Sequence, residues 1–317
     1  MVGSVNLTLQ LKQPQFESSR RIVVLGEILW DIFADSTLLG GAPLNFAVHA
    51  SRLGCKAMLI SAVGDDDLGA AARQSIRSLG LDTGMLQTTS RWSTGTALVC
   101  TDTPGHPTFQ ITRPAAYDAV ELTEEQFGLL TAWNPGWLYY GTLFPSVAAG
   151  KRTLIRLLRA LPQAIPFYDV NLRPGFDSPE LVLELLALAG IVKVNEVELR
   201  DASRFTGLPS TSEAFCRQGV QRYGWKAACV SLGAHGCAIL AGDDYAVADS
   251  YPIEVADTVG AGDAFAAALV HGLNQQWPVG QIASFANRVG AIVASRAGAI
   301  PDWSLAEATG FNGNLRR

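Results

Sequence analysis

The sequence predicts an α/β protein built on a doubly wound, mostly parallel sheet, and three observations carry that expectation. Short apolar, β-rich runs recur along the chain. Most are continuous rather than alternating, as in strands covered on both faces. Helical stretches with recognisable starts and stops lie between them. The 317 residues are 48% hydrophobic and 17% charged, which is enough apolar surface for a large core without staples.

In chain order, residues 1–20 are polar and irregular and read as a loosely held N-terminal extension. Regular signals begin at Arg21, and 21–317 read as one domain. The strand candidates are IVVLG (22–26), AMLISAVG (57–64), TALVCT (96–101), WLYYGT (137–142), IPFYDV (165–170), IVKVN (191–195), AACVSL (227–232) and GCAIL (236–240). In APLNFAVHASRLG, Pro43 stands near the first helical position and Gly54 just past the last. In SPELVLELLALAG, Ser178 is placed to cap, Pro179 to open and Gly190 to stop the helix. AFAAALVHGLNQQ (264–276) and QIASFANRVGAIVASR (281–296) each carry one apolar face. TALVCTDTPGHPTFQITR (96–113) interrupts the alternation and reads as a hairpin turning at Thr103-Pro104-Gly105, a flap projecting from the main sheet.

Composition narrows the function. Net charge is −5, and no basic cluster exceeds Arg20-Arg21, Lys151-Arg152 or Arg316-Arg317, so a general nucleic-acid binder is excluded. Five cysteines without a CxxC pair argue against a disulfide framework and against a four-cysteine zinc site; they read as reduced, mostly buried thiols. His49, His106, His235 and His271 lack metal-ligand spacing. Asp65-Asp66-Asp67 reads as a solvated helix cap. No apolar run approaches the ~18–20 residues of a membrane span. The first residues lack the basic-then-apolar order of a secretory signal, so a cytoplasmic protein is expected.

Two segments carry chemistry. In Asp257-Thr258-Val259-Gly260-Ala261-Gly262-Asp263, two glycines and an alanine leave the backbone bare just before a helical run, so the N–H groups of 260–263 can face an anion. Asp263 is either a cap for that helix or a general base beside a transferred phosphoryl group. The loop is neither a Walker A sequence nor a dinucleotide fingerprint, because Phe265 follows GAGDA where a glycine is required; a dinucleotide-dependent oxidoreductase is disfavoured accordingly. Gly40-Gly41-Ala42-Pro43-Leu44-Asn45 opens another helix, with glycines that admit close approach and Asn45 on the first turn.

GGAPLNFAVHASRLG, with Gly64 ten residues beyond Gly54, resembles the first signature of the ribokinase-like (PfkB) carbohydrate kinases, and DTVGAGDAFAAALV resembles the second. The likeness extends from about residue 21 to 302. GEILWD (26–31) and TGTALV…FQITRPAAYD (94–118) are most similar to the fructokinase branch. It implies a three-layer α/β/α sandwich, a small β lid over a sugar, and ATP-dependent phosphorylation of a primary hydroxyl of a small sugar, fructose first. Ribose, 2-keto-3-deoxygluconate and nucleosides remain open as substrates, and a non-catalytic sugar sensor is the reading from another class.

The same resemblance assigns roles. Asp263 would be the base, with the amides of Gly260, Ala261 and Gly262 as anion hole. Asp31, Gly40, Gly41, Asn45 and Arg173, the last in YDVNLRPG, would bind substrate. Asn195 and Glu198 of KVNEVEL would act on the Mg2+–phosphate unit, largely through water. Ser231, Gly233 and Gly236 of SLGAHG would hold nucleotide phosphate. Asp257, Val259, Gly298 and Asp302 lie where relatives hold K+. Asp31, Arg173, Asn195 and Gly233 all follow the C-terminal ends of strand candidates, the edge where open α/β sheets bind ligands. Only eight residues, Ile32 to Leu39, separate Asp31 from Gly40, so lid segments are expected near 32–41 and 93–116, with more of the lid from the second. Pairing of exposed lid strands makes a homodimer an expectation. No nucleic acid or membrane partner is expected.

Overall fold

The computed structural model describes residues 19–100 and 108–313. The chain runs β1 (Arg21–Leu25), β2 (Leu29–Ile32), β3 (Thr37–Gly40), α1 (Ala42–Arg52), β4 (Lys56–Gly64), α2 (Asp67–Ser78), β5 (Leu86–Thr89), β6 (Gly95–Cys100) and β7 (Thr108–Ile111). It continues through α3 (Glu124–Trp133), β8 (Trp137–Tyr140), α4 (Ala148–Ala160), β9 (Ile165–Asp169), α5 (Pro179–Leu188), β10 (Ile191–Asn195), α6 (Glu196–Thr206) and α7 (Ser212–Tyr223). The last elements are β11 (Ala227–Ser231), β12 (Cys237–Ala241), β13 (Asp244–Ala248), α8 (Ala261–Asn274), α9 (Val279–Ala294) and α10 (Leu305–Gly310).

Nine strands form the central sheet in the order β13-β12-β11-β10-β9-β8-β1-β4-β5. From β11 to β5 neighbouring strands are parallel. GCAIL departs from the parallel expectation: β12 pairs antiparallel with both β11 and β13, because only a tight turn at 233–236 joins it to β11. Each face of the sheet carries its own core. One contains Phe46, Phe265 and Phe285 of α1, α8 and α9; the other contains Leu154, Leu185 and Phe215 of α4, α5 and α7. The sandwich is therefore three-layered. Phe46 stacks on Tyr139 at 3.8 Å between centroids, which fixes the roll of α1 on the sheet.

Local signals explain the starts of the helices. Ser178 Oγ accepts from Leu181 N at 3.3 Å, and Pro179 opens α5. The Asp66 carboxylate caps α2 at Gly69 N but is not left to solvent, as it also accepts from Thr94 N and Thr94 Oγ1 at 2.8 and 2.6 Å. Asp66 thus ties α2 to the chain entering β6.

The lid is a separate four-stranded sheet, β3-β2-β6-β7. Two strands come from residues 29–40 and two from 95–111, so the first segment contributes as much as the second, contrary to expectation. Eight residues suffice because β2 and β3 are four residues each, joined by a short turn. Asp31 is consequently a residue of lid strand β2 rather than of a loop. The Thr103-Pro104-Gly105 turn lies outside the described residues. Cys55, Cys216, Cys229 and Cys237 are buried free thiols. Among the described residues no helix is long and apolar enough to cross a membrane.

Candidate active site

The site is built where α1 and α8 begin, above the C-terminal ends of β1, β9, β10 and β11. Gly260 adopts φ +79°, and a Cβ there would meet the Ala299 carbonyl oxygen at 2.3 Å, so glycine is required. The turn starts α8 at Ala261, three residues earlier than its apolar pattern suggests, and puts Gly262 and Asp263 on the first helical turn. First-turn amides lack upstream helical acceptors and favour negative charge. The Ala261 amide folds back towards Thr258 O at 3.3 Å, so the amides that follow it are the ones left to face an anion. Behind the loop, Asp257 accepts from Val259 N at 2.9 Å and Gly298 N at 3.0 Å, joining two segments.

A cavity of about 250 Å³ opens between this turn, α1 and the lid. Asp31, Gly41, Asn45, Arg173, Val259, Gly260, Gly262 and Asp263 line it. Asn45 Nδ2 donates to Asp263 Oδ2 at 2.9 Å, so the two signature segments meet at their polar residues. Ala97 and Ile111 of the lid close the opposite side. Gly41, at φ +112°, presses on the Glu27 carbonyl, where a Cβ would stand 2.5 Å away. Gly40 does not line the cavity; a Cβ there would lie 2.6 Å from Asp31 Oδ2, so Gly40 makes room for that carboxylate.

A second cleft of about 730 Å³ lies on the other side of the turn, lined by Asn195, Ser231, Gly233, Gly236 and Ala261. Thr258 and Gly262 line both hollows. Glu198 lines neither. Its oxygens accept from Asn195 N at 2.8 Å and Leu172 N at 3.2 Å, and Asn195 Oδ1 accepts from Val197 N and Glu198 N, a reciprocal helix cap. Asp302 stands apart: its side chain is exposed beside Arg52, and its carbonyl accepts from Arg296 Nη1.

The model of the pfkB family carbohydrate kinases matches residues 1–305. The chain belongs to the PfkB family of carbohydrate kinases. Among curated relatives of this PfkB kinase, Fructokinase-1 of Oryza sativa subsp. japonica is 30% identical over 276 residues, covering 83% of this chain and 84% of that protein. Fructokinase of Escherichia coli is 29% identical over 302 residues, covering 89% and 95%. Among solved structures, the fructokinase of Xylella fastidiosa with bound ATP superposes with a TM-score of 0.80 at 23% identity, covering 92% and 97%. That of Vibrio cholerae O395, with fructose, ADP and calcium ion, gives 0.77 at 24%, covering 93% and 100%. These structural likenesses establish the ribokinase-like fold.

Electrostatics set the PfkB kinase's carboxylates apart. Burial pushes Asp263 up to about 7; the Asp169 charge adds to this, and the Asn45 hydrogen bond, Lys193 and Arg173 oppose it. Asp31 is pushed up to about 6, first by burial, with Arg173 opposing and Asp257 adding. Beneath the turn that starts α8, Lys193 Nζ donates to Asp169 Oδ1 at 2.8 Å, both side chains fully buried, while Tyr139 Oη donates to Asp169 Oδ2 at 3.1 Å. Burial alone would depress Lys193, but Asp169, Glu198 and Asp263 together raise it.

Four site residues escaped the sequence reading. Lys193 and Asp169 sit within continuous apolar runs, and a charged residue inside a doubly covered strand was the available signal. Glu27 and Asn171 both line the 250 Å³ cavity. Glu27 lies in GEILWD and Asn171 in YDVNLR, so both were within quoted motifs without being singled out.

Proposed function

We propose that this PfkB kinase transfers the terminal phosphoryl group of ATP to a primary hydroxyl of a small sugar, with fructose as the leading substrate. One observation carries the reading: Asp263 lines a small polar cavity together with Asp31 and Asn45, while its neighbour Gly262 also borders the larger cleft. The fructokinases of rice and Escherichia coli support the choice of sugar.

The sugar would occupy the 250 Å³ cavity under the lid, held by Asp31, Gly41, Asn45 and Arg173, with Gly40 shaping the position of Asp31. ATP would occupy the cleft beside Asn195, Ser231, Gly233 and Gly236. Asp263 accepts the hydroxyl proton as that oxygen bonds to the terminal phosphorus and the bond to the leaving ADP oxygen breaks. The amides at the start of α8 take up charge on the transferred oxygens. Positioning and electrostatics carry such reactions, so one base between sugar and anion hole is sufficient machinery.

Mg2+ bound with the nucleotide would neutralise phosphate charge. Among the described residues no group of three or more His, Cys, Asp or Glu is placed to hold a metal ion, and the oxygens of Glu198 are taken by backbone amides. That donor set fits an ion carried by the phosphates, with Asn195, which lines the cleft, reaching it through water and Glu198 holding Asn195 in place from behind. For K+, Asp257 ties the segments of Val259 and Gly298 together through their amides, so backbone carbonyls of those segments would be the ligands, whereas the Asp302 carbonyl is already engaged by Arg296. Replacing potassium by a large organic cation tests that site; an unchanged rate removes it. We place the enzyme in the cytoplasm and propose that two copies pair through the lid, where Leu38 and Leu98 are exposed.

A coupled ADP-release screen with fructose, ribose, ketodeoxygluconate and adenosine is the deciding measurement. Fructose should give the highest kcat/KM. Asp31→Ala should raise its KM about 5- to 150-fold, as expected for a buried hydroxyl losing its partner at roughly 1–3 kcal/mol. ATP turnover indifferent to every sugar would overturn the reading.

A further inference from the structure

The sugar-side cavity holds more hydrogen-bonding capacity than the residues above use. Glu27 Oε2, Asn45 Oδ1 and Asn171 Nδ2 are all buried, all belong to residues that line this one cavity, and have no hydrogen-bond partner within the protein. A native fold leaves few buried polar atoms unpaired, and each unpaired one needs an explanation. Three converging on one hollow are explained by a ligand that brings two donors and one acceptor.

Glu27 is the most telling of the three. It sits in the connection between β1 and β2, is 5% exposed, and has its backbone clamped beneath Gly41. Of the two arginines whose charge opposes it, Arg113 is already committed to Asp118, Leu143 O and Ser146 Oγ. Arg173 donates to the carbonyl of Leu172 and faces Glu27, Asp31 and Asp263 at once. Three carboxyl groups therefore line the cavity against one guanidinium. Such a wall suits neutral hydroxyls, which donate to carboxylates, and opposes a carboxylate on the sugar, which would meet more negative than positive charge.

We propose that Glu27 is a specificity-determining residue: its Oε2 accepts a hydrogen bond from a sugar hydroxyl other than the phosphorylated one, and it selects neutral sugars over acidic ones. The proposal rests on the sugar-kinase reading above. It assigns Arg173 to balancing the wall and leaves it too encumbered to bind a substrate carboxylate.

The test is a coupling experiment on the full-length enzyme. Wild type, Glu27→Gln and Glu27→Met are assayed with fructose and with monodeoxyfructoses lacking each non-phosphorylated hydroxyl. One deoxy sugar should raise the wild-type KM about 10-fold or more, raise that of Glu27→Gln, a weaker acceptor, by clearly less, and raise that of Glu27→Met less than 2-fold. Glu27→Gln should also narrow the preference for fructose over ketodeoxygluconate at least 10-fold. Glu27→Met, close in shape but unable to accept, should lose more fructose affinity than Glu27→Gln. If every deoxy sugar penalises all three enzymes equally, Glu27 contacts no hydroxyl and the assignment fails while the kinase reading stands. An unchanged fructose-to-ketodeoxygluconate ratio overturns the selection. A wild type inactive on all sugars overturns both readings.

Discussion

Asn45 and Asp263 lie 218 residues apart in sequence and are joined by a 2.9 Å hydrogen bond from Nδ2 to Oδ2. The bond orients the carboxylate that would act as base and opposes the burial that raises it. A base works deprotonated, and burial holds Asp263 near 7. The acid limb of kcat/KM should therefore rise with pH and reach half its plateau near pH 7. Removing the donor favours the protonated form, so Asn45→Ala should displace that limb to higher pH. Asp263→Asn should lower kcat about 10²–10⁴-fold, the usual contribution of a positioned base. Turnover of Asp263→Asn within a few-fold of wild type would refute the assignment.

Gly260 and Gly262 separate folding from chemistry. A Cβ on Gly260 runs into the Ala299 backbone in a left-handed conformation, so Gly260→Ala should destabilise by about 1–3 kcal/mol. A Cβ on Gly262 meets only Lys193 Nζ, at an ordinary 3.5 Å, within helix α8. Alanine there favours the helix by up to ~1 kcal/mol. Gly262→Ala should thus melt no lower than wild type yet turn over about 10²-fold more slowly, because the methyl displaces the transferred group from the amides. Melting curves and steady-state rates on the two variants check this, and equal activity in Gly262→Ala would show that the loop is not the anion hole.

The Lys193–Asp169 pair lies directly beneath that loop. Stranding one buried charge is expensive, so Lys193→Met should destabilise by about 3–5 kcal/mol in urea unfolding. Adding Asp169→Asn should restore most of the loss. The two residues also act on Asp263 with opposite sign, Lys193 lowering it and Asp169 raising it. The acid limb of activity should shift to higher pH in the single variant and return towards its starting position in the double. A double variant no more stable than the single would show that the pair is not the unit of stability.

Legibility in the sequence followed the reach of each signal. β10 is the run IVKVN itself, because a parallel strand covered on both faces leaves a continuous apolar signature. α5 follows Ser178 and Pro179 because caps are local. A lid segment near 32–41 was expected, but β2 and β3 were not read as strands: four-residue strands of a lid carry no apolar period, and their pairing is set by each other and, for β2, by β6. At the site, the glycine-bearing turns were readable because bare backbone needs particular residues. Glu27 and Lys193 were not, since a buried charge becomes meaningful only once the fold supplies its surroundings.

His49 gives the fold an acid sensitivity that is independent of Asp263. It is fully buried in α1; its Nε2–H donates to Ala299 O and Trp303 Nε1–H donates to its Nδ1, each at 3.0 Å. That pairing requires the neutral ring, and burial holds the group down from 6.5 to about 4. A histidine depressed in the folded state contributes its full stability above the unfolded value and loses it as pH falls through the window from about 6.5 to 4. The loss is of the order of 3 kcal/mol. Other carboxyls titrate over the same range, so the informative quantity is a difference: the unfolding free energy of wild type minus that of His49→Phe should shrink by this amount between pH 7 and pH 4. Ala299 is also the residue against which Gly260 packs, so protonating His49 should loosen the anion loop before the protein unfolds globally. The protection of the Ala264 amide, which donates to Gly260 O, should fall relative to its intrinsic exchange rate as pH approaches 4 in wild type but not in His49→Phe. A wild-type minus His49→Phe difference that stays constant with pH would show that the ring is not held neutral by this network.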